Sequence, residues 1–401
     1  MKKILFLLIM LLFPISTCAL EYPKIDSKNV KIYDLTDKKT LYEVNANDVS
    51  AIASLTKIAT TITAIENIEN LDEKVTITND ILNTVSKEAS KAGLKDGDVV
   101  TYNDLLYASM LPSGADATNA IAILSSGSIN DFVKKMNNLS KKIGLNNTNF
   151  VNVTGLDEEN HYSTVSDVTK LLVYSLKNKI FKKIYTTKEY EMSNGLVVTN
   201  SIYSYNKNDE LDISKILGSK TGYTLNAGYC LSSLSNVNGH DVLIITLNAK
   251  KEDKSFYNII DTLNLIDFLE NNYDERLLVK KGKHIKNIYV DLSNISKYSI
   301  KTQNNVKKFL PSDYNKNDLK IKYTGFNHIS FLNIKGTKIG TLKYYYKNKL
   351  FYEEKVILNK KIDINFIKTL KASWFILLLA ILLIVYICYK KNLPNNKNLV
   401  S

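Results

Sequence analysis

Apolar and polar positions alternate through VKIYDLTDKKTLYEV, Val30 to Val44, around a polar TDKK centre. That period predicts two half-buried strands joined by a tight turn. The period then changes. In VSAIASLTKIATTITAI the apolar residues Ile52, Leu55, Ile58, Ile62 and Ile65 recur at helical spacing, and Lys57 is the only charge. Residues 71–100 are mixed and polar. NDLLYASML predicts a helix that stops at Pro112; after the turn SGAD, a small-residue helix follows in ATNAIAIL. Residues 149–208 read as loops and short helices. GSKTGYT, AGYCLSSLS and HDVLIITLNA predict strands, the last two joined at Asn238-Gly239. SFYNIIDTLNLIDFLENNY predicts a long amphipathic helix that closes this part near residue 273.

From about residue 280 to 360 the pattern shifts to short β-type runs with frequent turns, such as KNIYVDLS and LKIKYTG. No groups for catalysis gather there, so this stretch predicts a small β-domain serving as a spacer or a partner-binding module. Two apolar segments flank the whole. Residues 1–19 carry two lysines, an apolar run and then small residues, the layout of a secretory signal cleaved after Ala19. Cys18 invites a lipoprotein reading, which Thr17 directly before it disfavours. ASWFILLLAILLIVYICY, residues 372–389, is uncharged and long enough to span a bilayer. Trp374 and Tyr389 stand at interface positions, and Lys390 and Lys391 follow as inside-facing charges. The expected order is signal 1–19, first domain 22–275, β-domain 280–360, transmembrane helix 372–389 and cytoplasmic tail 390–401. The chain is then exported and held in the cell membrane by a single pass.

The formal charge of +13 changes little in this picture. The lysines are spread among Asn and Asp, Arg276 is the single arginine, and no basic stripe forms, which argues against a nucleic-acid partner. A diffuse lysine excess suits anionic wall or lipid surfaces. With the signal removed, Cys230 is the only cysteine outside the apolar C-terminal run, so stability rests on packing and not on disulfides.

The candidate chemistry begins at Ser54 and Lys57, three apart in a helical pattern and so on one face. An uncharged environment disfavours the ammonium form of Lys57 and lowers its pKa. A neutral amine beside a hydroxyl is the general base a serine nucleophile needs. The same spacing occurs at Ser204 and Lys207 in a polar stretch, so the pair alone is not diagnostic. Two further elements sharpen it. MLPSGAD places Ser113 in a turn after a helix-breaking proline, where a hydroxyl can project into a cleft. GSKTGYT, the only Lys-Thr-Gly in the chain, opens a strand whose glycine lets a substrate backbone lie close. S-x-x-K, S-x-x and K-T-G in that order form the set found in penicillin-binding proteins and serine β-lactamases.

On these motifs the chain resembles the serine-type D-alanyl-D-alanine carboxypeptidases, the low-molecular-mass penicillin-binding proteins of peptidase family S11, over roughly residues 22–360. ASLTKIAT looks like the family's nucleophile helix, LLYASMLPSGADAT its second motif and GSKTGYTLNAGYCL its third. NVTGLDEENHYSTVSDVTKL, residues 152–171, is similar to a further family stretch. The resemblance implies an α+β fold of the DD-peptidase/β-lactamase type. Its catalytic domain is an antiparallel sheet flanked by helices, followed by a small all-β domain and a membrane attachment. It also implies roles for single residues. Ser54 attacks the carbonyl of the penultimate D-alanine and Lys57 takes its proton. Ser113 and Lys220 relay a proton to the departing D-alanine. The backbone N–H groups of Ser54 and Tyr223 form an oxyanion hole, and Ser219, Lys220 and Thr221 receive the terminal carboxylate. The implied partners are peptidoglycan pentapeptide stems and β-lactams, with no cofactor and no metal.

One position departs from the family pattern. Ala115 stands where the second motif commonly has asparagine, which removes an amide able to hold Lys57 and the substrate and leaves Asp116 or a water to substitute. The nearest rival is a serine β-lactamase, but no E-x-x-L-N segment supplies a deacylating glutamate. Endopeptidase or transpeptidase activity on the same site, and a catalytically impaired wall-binding protein, stay open. His161, His240, His284 and His328 lie far apart, without the spacing of a zinc peptidase, and His161 is expected to be structural. Asn152-Val153-Thr154 matches a glycosylation acceptor and carries no weight.

Overall fold

The computed structural model describes residues 20–206, 211–250 and 256–391. The expected signal segment and the tail beyond Lys391 lie outside the described residues. The chain divides into two compact units, one running to Glu275 and including Phe309–Ser312, the other formed by Arg276–Lys308 and the chain from Asp313 onwards.

The first unit is built on a five-stranded antiparallel sheet. Its strands are β1 (Asn29–Asp34), β2 (Lys39–Val44), β3 (Gly218–Thr224), β4 (Gly228–Val237) and β5 (His240–Ala249), in the order β2-β1-β5-β4-β3. The Lys-Thr-Gly strand β3 is therefore an edge, with one row of backbone groups outside the ladder. Six helices matter for the site: α1 (Thr56–Asn67), α2 (Tyr102–Met110), α3 (Ala115–Ser126), α4 (Ile129–Ile143), α5 (Val165–Ser175) and α6 (Tyr257–Asn272). Val30, Ile32, Val242 and Ile244 share one core with Ile259, Leu265 and Leu269 of α6. Leu243, Ile245 and Leu247 belong to the other core, with α1, α2 and α4. Burial of both sheet faces is why β5 reads as the unbroken run VLIITL.

The helices follow local chemistry. α1 is buried at every position from Thr56 to Ala64 and so has no solvent face to give it amphipathic contrast. α2 begins with a capping box in which Thr101 and Asp104 satisfy each other's backbone N–H groups. α4 starts on the Ser128 side-chain cap, ends at left-handed Gly144, and buries Phe132, Val133, Met136 and Leu139 along one face. Residues 149–208, expected as loops and short helices, also contain the three-turn helix α5, capped by Thr164.

The second unit is mainly β. It has two three-stranded sheets built from β6 (His284–Asp291), β7 (Lys297–Lys301), β8 (Leu319–Gly325), β9 (His328–Ser330), β10 (Lys338–Tyr346) and β11 (Lys349–Ile357). Their orders are β7-β6-β9 and β8-β10-β11. Helix α7 (Phe366–Lys391) ends the described chain, with no residue buried and a mean hydropathy of 2.5 over its most apolar window. By length and composition it can cross a bilayer.

Candidate active site

Ser54 lies in a short 3₁₀ turn, Ala53–Leu55, that feeds directly into α1. The nucleophile candidate thus sits in the turn that leads into the helix carrying Lys57, and the two side chains still meet on one face. The turn is under constraint. Ala53 has φ +46°, a left-handed backbone that costs about 1–2 kcal/mol for a residue with a Cβ. Two glycines press on it. A Cβ on Gly155, itself at φ +86°, would come within 1.9 Å of the Ala53 carbonyl oxygen. A Cβ on Gly222, in β3, would come within 2.9 Å of the Ser54 nitrogen. Both positions need glycine because backbone meets backbone there.

Lys57 is 2% exposed. Its Nζ donates to Ser54 Oγ at 3.0 Å and to the Thr154 carbonyl oxygen at 2.8 Å. Burial brings its pKa down to about 7, with the Asp116 carboxylate opposing the shift. The Thr154 carbonyl is held by a local turn: Asn152 Oδ1 accepts from the N–H groups of Thr154 at 3.2 Å and Gly155 at 2.8 Å. Asn152 is therefore a turn-forming residue. Sequence reasoning gave Thr154 and Gly155 no part in the site, although Asn-x-Thr-Gly is a legible turn signal.

Ser113 is also left-handed, at φ +65°, and its buried Oγ has no hydrogen-bond partner among the described residues. Ser219, Lys220 and Thr221 on β3 are all buried, Lys220 completely. Burial, and then the positive charge of Lys57, hold the Lys220 amine well below its ordinary pKa. Lys220 Nζ donates to the Thr221 carbonyl oxygen at 2.9 Å. The expected Ser113–Lys220 relay is thus not a formed hydrogen bond in this structure; both groups are buried, one unpartnered and one bonded elsewhere.

Asn200 and Ser201, absent from the sequence reading, link the second motif to the third. Ser201 N–H donates to the Leu111 carbonyl at 2.8 Å, and Ser201 Oγ lies 2.5 Å from Thr221 Oγ1. Asn200 Nδ2 donates to the Ser219 carbonyl at 3.2 Å while its Oδ1 caps the short helix Ser201–Tyr205. The only sequence signal was an Asn in a capping position.

Asp116 does not take over the missing asparagine amide. Its carboxylate accepts from the N–H groups of Ala92, Gly93, Leu94 and Ala117 at 2.8–3.1 Å, which commits both oxygens to the 92–94 loop. Ala115 is itself buried and donates its N–H to the Ser90 carbonyl at 2.7 Å. His161 is structural. Val151 N–H donates to Nδ1 at 3.2 Å, which assigns the proton to Nε2, 2.8 Å from Thr56 Oγ1. Burial drives its pKa down to about 4. Asp34, Asp37 and His240 are close enough to share an ion, but Asp34 already accepts from the Thr36 and Asp37 N–H groups in the β1–β2 turn.

Comparison with known proteins shows the family. Residues 16–251 match the D-alanyl-D-alanine carboxypeptidase family, Peptidase S11. The chain is 28% identical over 363 residues to D-alanyl-D-alanine carboxypeptidase DacF of Bacillus subtilis, covering 87% of this chain and 90% of that protein. It is 31% identical over 229 residues to a D-alanyl-D-alanine endopeptidase of Escherichia coli, 57% of this chain and 73% of that one. Its fold is similar to that of penicillin binding protein 5 from Haemophilus influenzae, with a TM-score of 0.64 and 22% identity over 86% of this chain and 99% of that one.

Proposed function

We propose a mechanism from one premise: the chain belongs to the D-alanyl-D-alanine carboxypeptidase family, Peptidase S11. Its activity is that of a D-alanyl-D-alanine carboxypeptidase acting on peptidoglycan. The finer reading is a serine-type reaction on pentapeptide stems, and the 3.0 Å contact from Lys57 to Ser54 carries it. Neutral Lys57 takes the Ser54 proton as Oγ attacks the penultimate D-alanine carbonyl. The oxyanion that forms is met by the N–H groups of Ser54 and Tyr223. The close approach of Gly222 to the Ser54 nitrogen supports this pairing. Each such donor contributes on the order of 3 kcal/mol.

The carboxylate of the terminal D-alanine is received by Ser219, Lys220 and Thr221. An arriving carboxylate favours the protonated form of Lys220, so the substrate itself raises the proton affinity of that amine. When the tetrahedral intermediate collapses, the C–N bond breaks and the proton taken by Lys57 reaches the leaving amine through Ser113 and Lys220; the Ser113 hydroxyl, without a partner among the described residues, can join that relay. Water then attacks the acyl-enzyme, returns its proton through Lys57, and frees Ser54 and the shortened stem. Penicillin acylates the same serine. The first domain, 22–275, is the catalytic one. Helix α7 anchors the chain as a single membrane pass with that domain outside.

The test is release of D-alanine from a pentapeptide ending in D-Ala-D-Ala by the full chain and by Ser54→Ala. Release by the first and not the second is expected; equal release by both, or by neither, overturns the assignment. A cross-linked muropeptide in the same assay measures endopeptidase activity, the reading the Escherichia coli relative favours.

A further inference from the structure

We infer that the turn 331–335 of the β-rich unit is a second membrane contact, which inserts Leu332 and Ile334 into the bilayer interface beside the root of α7. The inference rests on the reading of α7 as a membrane anchor. β6 and β9 pair in parallel, Tyr289 with His328, Val290 with Ile329 and Asp291 with Ser330. Parallel neighbours leave a sheet at the same end, about 4.8 Å apart. After β6, that end holds the root of α7. The Leu292 carbonyl accepts from Asn365 N–H at 2.8 Å, the Ser293 carbonyl from Lys368 Nζ at 3.0 Å, and Asn294 Oδ1 from Asn365 Nδ2 at 2.7 Å. After β9, the same end holds FLNIK.

This turn is built, not slack. Ser330 O accepts from Asn333 N–H at 3.0 Å, and Asn333 Oδ1 accepts from Ser330 N–H at 2.8 Å. Thr337 N–H donates to the Ile334 carbonyl, and Gly336 N–H to that of Leu358. On this tied backbone Leu332 and Ile334 are each 75% exposed. A single exposed aliphatic residue is ordinary. Two on one ordered turn, level with the start of an apolar helix, extend an apolar surface. Phe366, Ile367 and Leu370 continue that surface on the first turns of α7. Lys335, Lys368 and Lys371 accompany these residues, which suits the anionic headgroups of a bilayer interface.

The test uses the full chain reconstituted in phosphatidylcholine–phosphatidylglycerol vesicles with a nitroxide on the acyl chain near the headgroup. Trp374, the only tryptophan, reports the anchor. In a Trp374→Phe background, Ile334→Trp and, separately, Leu332→Trp report the turn. Leu350→Trp is the control, because β10 runs from the turn towards it for roughly 25 Å at about 3.3 Å per residue. Quenching of both turn reporters about threefold stronger than that of Leu350→Trp is expected for interfacial insertion. If Trp374 is quenched while both turn reporters behave like the control, the anchor stands and the turn proposal is overturned. If Trp374 itself is not quenched, the anchor reading falls and takes this one with it.

Discussion

The Nζ of Lys57 lies 3.0 Å from Ser54 Oγ, in surroundings that bring its pKa down to about 7. Only the neutral amine can accept the serine proton, so acylation follows the titration of Lys57. The second-order rate of penicillin acylation is expected to rise about tenfold per pH unit below 7 and to level off above it. Rates measured from about pH 5 to 9 check this. A profile flat between pH 5 and 7 contradicts the role of Lys57 as the base.

Gly155→Ala should damage the nucleophile turn, since its Cβ would meet the Ala53 carbonyl oxygen at 1.9 Å in a left-handed backbone. A loss of about 3 kcal/mol of stability, or a fall of about a hundredfold in acylation, is expected from backbone strain plus overpacking. Gly93→Ala is the control. It is also left-handed, at φ +104°, yet has nothing within 4 Å, so only the backbone cost of about 1 kcal/mol should appear in a denaturant melt.

Ser201 fixes the Thr221 hydroxyl from 2.5 Å away, in a site where that hydroxyl is to meet the substrate carboxylate. Ser201→Ala should raise the KM for pentapeptide about tenfold through the loss of one such hydrogen bond, with a smaller effect on kcat. Its pH profile should keep the Lys57 midpoint. Ser201→Thr should recover most of the loss. A fall in kcat alone would instead place Ser201 in the proton path.

His161 is neutral in the folded chain down to about pH 4, while the unfolded residue titrates near 6.5. Between those values the unfolded chain binds a proton that the folded chain lacks, so its contribution is full above about pH 6.5 and is lost as pH falls towards 4. About 3 kcal/mol should disappear across that window. Urea melts as a function of pH measure it, and His161→Gln should flatten the slope there.

Much of the site was legible because its chemistry is local in sequence. Ser54 with Lys57, the turn at Ser113 and the Lys-Thr-Gly strand each carry a short pattern, and the apolar run at 372–389 carries its own. What stayed hidden depends on contacts between distant segments. The Thr154 carbonyl reaches Lys57 across 97 positions, and Ser201 reaches Thr221 across 20, and neither spacing is a period of helix or strand. Whether Asp116 replaces the missing amide was left open for the same reason, since its partners are the backbone amides of a loop 22–24 residues earlier. The unbroken run VLIITL is consistent with burial of β5 on both faces, but the layers that cover them cannot be read from its own residues, because both come from elsewhere. Ala115 was legible as a departure, and its cost is measurable: Ala115→Asn tests whether an amide there speeds acylation of a site that already holds Lys57 through Thr154.

Mass mapping of the penicillin adduct tests the central claim most directly. The full chain is incubated with benzylpenicillin, digested, and its peptides are weighed. One adduct of the intact antibiotic's mass is expected on the peptide containing Ser54. It should be absent from Ser54→Ala, and D-alanine release should be lost in step with its formation. An adduct on any other residue, or D-alanine release that survives full labelling of Ser54, contradicts the account.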